Sequence, residues 1–419
     1  MRAGSTAPIN TRKAGVTGRK PTLLIISQAY VPDPCSVGQH IADVAVEMAN
    51  RGWHVIVYTS NRGWEDASIQ YPSRELLDGV EIRRLGLSSF GKKGIALRFV
   101  ASMMFVLQAT IRGLFTRRVD HLMVSTCPPM AGIAGVVISR LRRIRLTFWQ
   151  MDVNPDQIVA LGIVQPGSWP VRAFDLLNRL VLAQASNVIV LDRFMAARVN
   201  AKLDVREKMT ILPPWPHEDQ LQPISADSNP FRKAHNLAGK RVVMYSGNHT
   251  LSNPLSAILA AAHRLRDDPR LVFMFIGGGA GKKEVEAMTS PNIISLPYQP
   301  LDQIRYSLSA GDVHLATVGD SVVGIVHPCK VYGAMAVARP VLLIGPEECH
   351  VSDLLDAQDW GWHIPNGDVD RAEQVLRAIA EESDQELVAK GQRARDLMMQ
   401  SLSKAELCGR FCDVMERVA

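Results

Sequence analysis

The chain has 419 residues, of which 47% are hydrophobic and 21% charged, and its formal net charge is +6. That length suits two cores better than one, and the balance is that of a globular protein. The modest positive charge fits an anionic substrate or membrane surface. With no RNP, zinc-finger or helix-turn-helix signature, it argues against a nucleic-acid partner.

Six cysteines, at 35, 127, 329, 349, 408 and 412, form no CxxC pair and no Cys/His cluster with zinc spacing. They read as reduced thiols of a cytoplasmic chain, and no metal site is expected. Residues 1–20 hold five basic residues, no acid and no apolar core. They read as a disordered basic lead-in and not as a secretory signal.

The apolar run Thr22–Ser27 reads as a buried parallel strand. The loop Pro32–Gly38 then leads into a helix, Gln39–Arg51, with Ile41, Val44, Ala45 and Met48 at helical spacing. Gly52 and a strand, His54–Thr59, complete a βαβ opening of a doubly wound sheet. Gly79–Leu85 is a third strand.

Between Ile95 and Phe115, Arg98, Ser102, Gln108 and Arg112 gather on one side of an otherwise apolar helix. Lys92 and Lys93 precede it; Arg117 and Arg118 follow. It is either a core helix with one wet edge or a peripheral membrane contact, apolar face in lipid and basic rim on headgroups. No apolar run is long and uncharged enough for a spanning helix.

Strands His121–Thr126 and Leu146–Gln150 follow, and Asp152 and Asp156 sit just past the second. Open α/β sheets place ligands at that end of a strand. Asp152 could polarise a hydroxyl in a cleft; Asp156 either binds a ligand or caps a helix starting at Gln157. Strand Met209–Leu212 runs into Pro213-Pro214-Trp215-Pro216, a stiff linker closing a first domain, 21–215.

A second βαβ set opens with strand Val242–Tyr245 and the turn Ser246-Gly247-Asn248-His249. Phe275–Glu284 is glycine-rich yet not a Walker A, because Ile276 and Lys283 occupy positions that need Gly and Ser or Thr. Tyr298 lies in a Pro-flanked loop, where it can cap a core edge. Asp320 lies in the loop before Pro328-Cys329-Lys330, a short Ala-rich helix, Pro340 and strand Val341–Ile344. Lys330 at the mouth of that helix suits a phosphate. Tyr332 adds an amphipathic face, and Gly333 leaves room. Ser401–Val418 is a last amphipathic helix.

The segment Gly324–Pro346 resembles the PSK-x-Y-G-x-(A)AAGRP-x-x-x-IGP stretch of retaining glycosyltransferases with the GT-B fold, of the family 4 type. Asp152, Pro155, Asp156 and Ala160-Leu161-Gly162 resemble that group's D-x-x-P-[DE] and A-L-G, and Ser246-Gly247-Asn248 its Y-S-G-N loop. The resemblance implies an α/β GT-B architecture of two Rossmann-like parallel-sheet domains facing a cleft. Residues 21–215 would take the acceptor, 216–400 the nucleotide sugar, and 401–419 would cross back to the first domain.

It further implies Gly247, Asn248, His249, Gly278, Tyr298, Lys330, Tyr332 and Gly333 around a nucleotide-diphosphate sugar donor. Gly38, Asp156 and Asp320 would contact substrate, and Asp152 would be catalytic. The acceptor would be a saccharide, lipid-linked in many such enzymes, with peripheral membrane contact through 95–115 at the inner face of the plasma membrane. No cofactor and no metal is implied.

Two departures stand out. No Arg or Lys falls between Asn248 and Ala262, and the family's Glu pair lands on Ile325 and Gly333. A sugar-nucleotide 2-epimerase and a non-catalytic nucleotide-sugar-binding protein therefore remain as alternatives.

Overall fold

The computed structural model describes residues 19–33, 35–63, 66, 68–88, 95–217 and 221–418. The basic lead-in, apart from Arg19 and Lys20, and the lysines at 92 and 93 lie outside the described residues.

The first sheet contains β1 (Thr22–Ile26), β2 (His54–Ser60), β3 (Arg74–Leu77), β4 (Val80–Leu85), β5 (His121–Ser125), β6 (Arg145–Trp149), β7 (Asn187–Val190) and β8 (Met209–Ile211). Its order is β3-β4-β2-β1-β5-β6-β7-β8. The second contains β9 (Arg241–Ser246), β10 (Leu271–Ile276), β11 (Ile293–Leu296), β12 (Val313–Thr317), β13 (Val341–Ile344) and β14 (Gly361–Ile364), in the order β11-β10-β9-β12-β13-β14. All pairs are parallel except the edge hairpin β3–β4.

Buried on both faces, β1, β5 and β13 are continuous apolar runs or nearly so, as crossover helices on each side of a sheet require. Strand order reverses at β1 and at β9, so each sheet offers a crevice at the carboxyl end of that strand.

Three local differences from expectation have physical causes. The first helix starts at Ser36, so Gly38 lies in its opening turn, where a Cβ would come within 3.0 Å of the Tyr30 backbone. β3 is an edge strand with exposed Leu76 and Leu77, so it lacks a buried period. Helix Trp169–Gln184 buries only Asn178, Val181 and Leu182, too few for its apolar spacing to stand out.

Helix Ile95–Phe115 buries Phe105 and Ala109 and packs through Gly113 on Ile138 of helix Ala131–Arg142. Its other face stays exposed, including Phe99, Leu107 and Phe115. Its stretch Leu97–Phe115 is long and apolar enough to cross a membrane by length and composition.

The two sheet units share one apolar core, which runs from β1 and β2 to Val331 and Met335 of the helix Lys330–Ala336. Val153 N donates to the Ile325 carbonyl at 2.9 Å, and Arg193 makes two bonds to Asp353 at 2.7 and 2.9 Å. The C-terminal helix Lys404–Val418 lies on helix Ser36–Asn50 in the first unit. There Arg51 meets Asp413 at 2.6 Å and Glu416 at 2.9 Å. Phe411 packs its ring 4.4 Å from Trp149, which stacks on Trp215 of the Pro-rich linker at 5.8 Å. Asp43 accepts from Trp215 Nε1 at 2.8 Å and from Lys404 at 2.6 Å, tying linker and C-terminal helix to one carboxylate.

Phe411 is fully buried, so Phe411→Ala removes a ring from the contact between chain end and linker. The expected cost is about 3–5 kcal/mol, read as a lower denaturant midpoint in equilibrium unfolding. A change within 0.5 kcal/mol, roughly the size seen for surface substitutions, would show that the C-terminal helix does not stabilise the fold.

Candidate active site

The second sheet's crevice is built by two interlocked turns. Gly247, at the end of β9, has φ 130° and Gly277, at the end of β10, φ 131°, conformations that side chains with a Cβ rarely adopt. Gly247 N donates to the Ile276 carbonyl at 2.9 Å, His249 N to Gly278 at 2.7 Å, and Gly281 N to His249 at 2.8 Å. A Cβ on Gly277 would overlap the Gly247 carbonyl, so the glycine is required for the turns to touch. This bares backbone along the crevice, as close approach to a ligand needs.

Lys330 lies across this floor. A Cβ on Gly247 would come within 3.0 Å of Lys330 Cε. Its Nζ stands 5.1 Å from the centre of the Tyr245 ring. With the Asn253 amide turned so that both its ends are satisfied, the amide oxygen accepts from Lys330 Nζ at 3.1 Å and its nitrogen donates to Thr317 at 3.0 Å. No carboxylate pairs with Lys330 among the described residues. Burial lowers its pKa to about 8, with Cys329 opposing as the smaller influence.

The other expected donor residues divide. Asn248 is exposed at the turn, and Tyr298 is 55% exposed with its ring over Gly278. Gly333 has only Leu308 near the position of a Cβ, at 3.7 Å. His249 does not face the crevice: it is fully buried, with its ring 4.6 Å from Tyr245, and burial lowers its pKa. Enclosed among aromatic rings and with its pKa lowered by burial, it is poorly placed to meet a phosphate, whereas Lys330 lies across the turns.

Tyr332 also departs from expectation. It is 2% exposed and turned into the junction between the two sheet units. Its hydroxyl lies 2.8 Å from His327 Nε2 and 2.9 Å from His350 Nε2, and His327 Nδ1 lies 2.8 Å from Asp192. Asp192 also caps helix Arg193–Lys202 by accepting from Met195 N at 2.8 Å. Burial pushes the Asp192 carboxyl up, but its bond to His327 and that ring's charge outweigh burial and hold it low. Burial also pushes His350 well below the ordinary histidine range. Asp192, His327 and His350 are the grouping of potential metal ligands found among the described residues, with atoms within 4.8 Å of one another. Sequence reasoning missed this cluster. Its one local signal is a histidine directly before Pro328-Cys329-Lys330.

On the facing unit, Asp152 follows β6, one residue before the Val153–Ile325 bond. Its backbone N donates to Thr126 Oγ1 at 3.3 Å, and its carboxylate has no cation beside it among the described residues. Burial alone raises its pKa to about 6. Asp156 neither caps the helix nor stands free: it is the first residue of helix Asp156–Ala160, and its carboxylate meets Lys202 at 2.8 Å. Gly38 packs the first helix on the Tyr30 backbone. Asp320 is exposed and accepts from Asn366 at 2.8 Å. Ile325 is buried, and neither it nor Gly333 supplies a carboxylate.

Comparison with known proteins agrees with this geometry. Residues 37–215 match the family described as "Glycosyl transferase 4-like domain". The chain is 25% identical over 316 residues, 74% of its length and 77% of the relative's, to "Probable glycosyltransferase WbjE" of Pseudomonas aeruginosa. It is 27% identical over 247 residues, 57% of its length and 60% of the relative's, to WcaI of Escherichia coli strain K12, named as a colanic acid biosynthesis glycosyl transferase. The structure of Alr3699/HepE from Anabaena, solved with UDP and glucose, superposes with TM-score 0.70 over 94% of this chain and 99% of that one, at 13% identity. Two parallel-sheet units in the GT-B arrangement, a glycosyl transferase 4-like match and glycosyltransferase relatives make this chain a glycosyltransferase.

Proposed function

We propose that this enzyme moves a sugar from a nucleoside diphosphate donor to a saccharide carried on a lipid, in the assembly of a cell-surface polysaccharide. The observation that carries the reading is Lys330, a half-buried ammonium with no counter-anion among the described residues, lying across two glycine turns. A desolvated cation of this kind gains most when an anion arrives. The diphosphate of a sugar donor fits that position, and charge developing on it as the sugar leaves is what Lys330 would stabilise. The transfer proceeds with retention, and Lys330 takes the place of a divalent metal. UDP bound in the structure of HepE supports a nucleotide in this cleft; the naming of WcaI supports the polysaccharide setting.

Asp152 takes the proton of the acceptor hydroxyl. Its raised pKa keeps it a usable base near neutrality, and no cation nearby weakens it.

The lipid-carried acceptor is supported by the surface. Helices Ile95–Phe115, Ala131–Arg142 and Trp169–Gln184 lie side by side, joined at Gly113–Ile138 and Gly132–Val181. Together they expose Phe99, Leu107, Phe115, Trp169 and Leu176. Arg112, Arg140 and Arg172 accompany them, while the one acid, Asp175, is paired with Lys202 and Arg179. An apolar face with a basic rim suits an anionic bilayer surface, peripheral and on the cytoplasmic side.

Lys330→Ala is expected to lower turnover of a UDP-sugar by about 10²–10³-fold while leaving the melting temperature near that of the parent. Unchanged kinetics would remove Lys330 from the site. Because the donor anion prefers the charged lysine, donor affinity falls as pH rises through about 8. Because the base must be ionised, turnover rises as pH climbs through about 6. Asp152→Asn should abolish that acidic limb and lower kcat; a rate profile keeping the limb would assign it to another group. A thermal-shift screen of nucleotides identifies the donor base, and the absence of any shift would sink the donor site.

A further inference from the structure

At the amino edge of the first sheet, opposite the cleft, lies a concave basin of about 750 Å³. Its walls come from the first residues of β1 and β2, the middle of β4, and the turn after helix Ile95–Phe115. Arg19, Lys20, Arg83, Arg117 and Arg118 line it. Two carboxylates answer these cations: Asp120 pairs with Arg19, and Glu81 meets Arg83 at 2.7 Å and His54 at 3.2 Å. Lys20, Arg117 and Arg118 have no acidic partner among the described residues, and all three are exposed at the rim. Thr22 and Thr116 contribute the polar floor.

Five cations against two committed carboxylates concentrate half the chain's net charge in one hollow. Concave walls of one sign focus the potential and raise the local anion concentration. Two neighbouring guanidiniums offer forked donors matched to phosphate oxygens. The volume is far above what an inorganic ion needs and within the range of small-ligand sites. We propose that this basin binds a phosphate-bearing anion, separately from the donor cleft.

The position also names a source. Phe115, 81% exposed, ends the apolar helix face and directly precedes Thr116–Arg118. A bilayer on which that face rests would bring its phosphodiester headgroups to the basin. This part rests on the membrane reading above; the phosphate chemistry does not.

The test uses the full chain carrying Lys330→Ala, so that phosphate bound in the cleft does not contribute. Pyrophosphate is titrated by calorimetry, and phosphatidylcholine vesicles with and without phosphatidylglycerol are used in flotation. The comparison is Lys20→Gln/Arg117→Gln/Arg118→Gln against a control that removes three exposed charges from the second sheet unit, Lys233→Gln/Arg305→Gln/Arg371→Gln. The triple variant in the Lys330-containing chain must keep its UDP-induced thermal shift, which reports an intact fold and donor cleft.

Pocket-dependent loss of binding, roughly a hundredfold for three basic residues at an anionic surface, supports the site. Loss with phosphatidylglycerol vesicles identifies the headgroup. Loss with pyrophosphate alone, vesicle binding unchanged, identifies a soluble phosphate compound and overturns the lipid source. Equal binding by triple variant and control in both arms overturns the site. Failure of UDP to bind the parent chain would count against the donor cleft and leave this basin untouched.

Discussion

The buried contact between Asp192 and His327 is the interaction on which the cleft depends. Asp192 belongs to the first sheet unit and His327 to the second, and their side chains are 4% and 1% exposed. Removing one partner leaves the other buried without its hydrogen bond, a loss of about 1–3 kcal/mol in comparable sites. His327 stands directly before Pro328-Cys329-Lys330, and Tyr332 closes the chain of bonds to His350. The same residues that seat one unit on the other therefore fix the turn that carries Lys330, the cation proposed for the donor. The Val153–Ile325 bond adjoins Asp152 on the other side. Asp152 and Lys330, the proposed base and cation, are each held within a few residues of the same junction.

That placement explains why Tyr332 is not a ligand face. A tyrosine hydroxyl carried into the interior needs partners, and two buried histidines provide them. The consequence is a division of labour within one short helix: Lys330 at its entrance faces the crevice, while Tyr332 anchors the junction. In the cleft itself, the charges are arranged by what is missing beside them. Among the described residues Lys330 has no carboxylate beside it and Asp152 no cation, and burial shifts each toward its neutral form. Asp156 has such a partner in Lys202 and is a structural ion pair. Two aspartates four residues apart thus have different chemistry because one has a lysine beside it.

The sheets were legible because parallel strands buried on both faces are nearly unbroken apolar runs. β13 spans the very residues the sequence marks, and β1, β2, β5 and β6 differ by a residue or so at an end. The turns at Gly247 and Gly277 were legible as glycines after strands. What was not legible depends on contacts distant in sequence. His249 and Asn248 are neighbours, yet one is enclosed between aromatic rings and the other is exposed. No local pattern distinguishes them. Asp156 looked like a cap because its partner, Lys202, lies 46 positions away along the chain. The Asp192–His327–His350 cluster draws on three separate segments and leaves no spacing to find.

Charge shows the same limit at the scale of the whole molecule. A net charge of +6 over 419 residues suggests only a weak preference for anions. Folding changes that by pairing some charges with one another: Arg51 with Asp413 and Glu416, Arg193 with Asp353, Arg264 with Asp370 and Glu373. Among the described residues, two places matter to a ligand. Lys330 lies across the glycine turns of the proposed donor cleft with no carboxylate beside it, and Lys20, Arg117 and Arg118 gather at the opposite edge of the first sheet, beside the exposed end of the apolar helix. Attraction between a surface and an anion decays over about 8–10 Å at physiological salt, so it is this local residue of charge that a ligand meets. The average carries almost no information about either place.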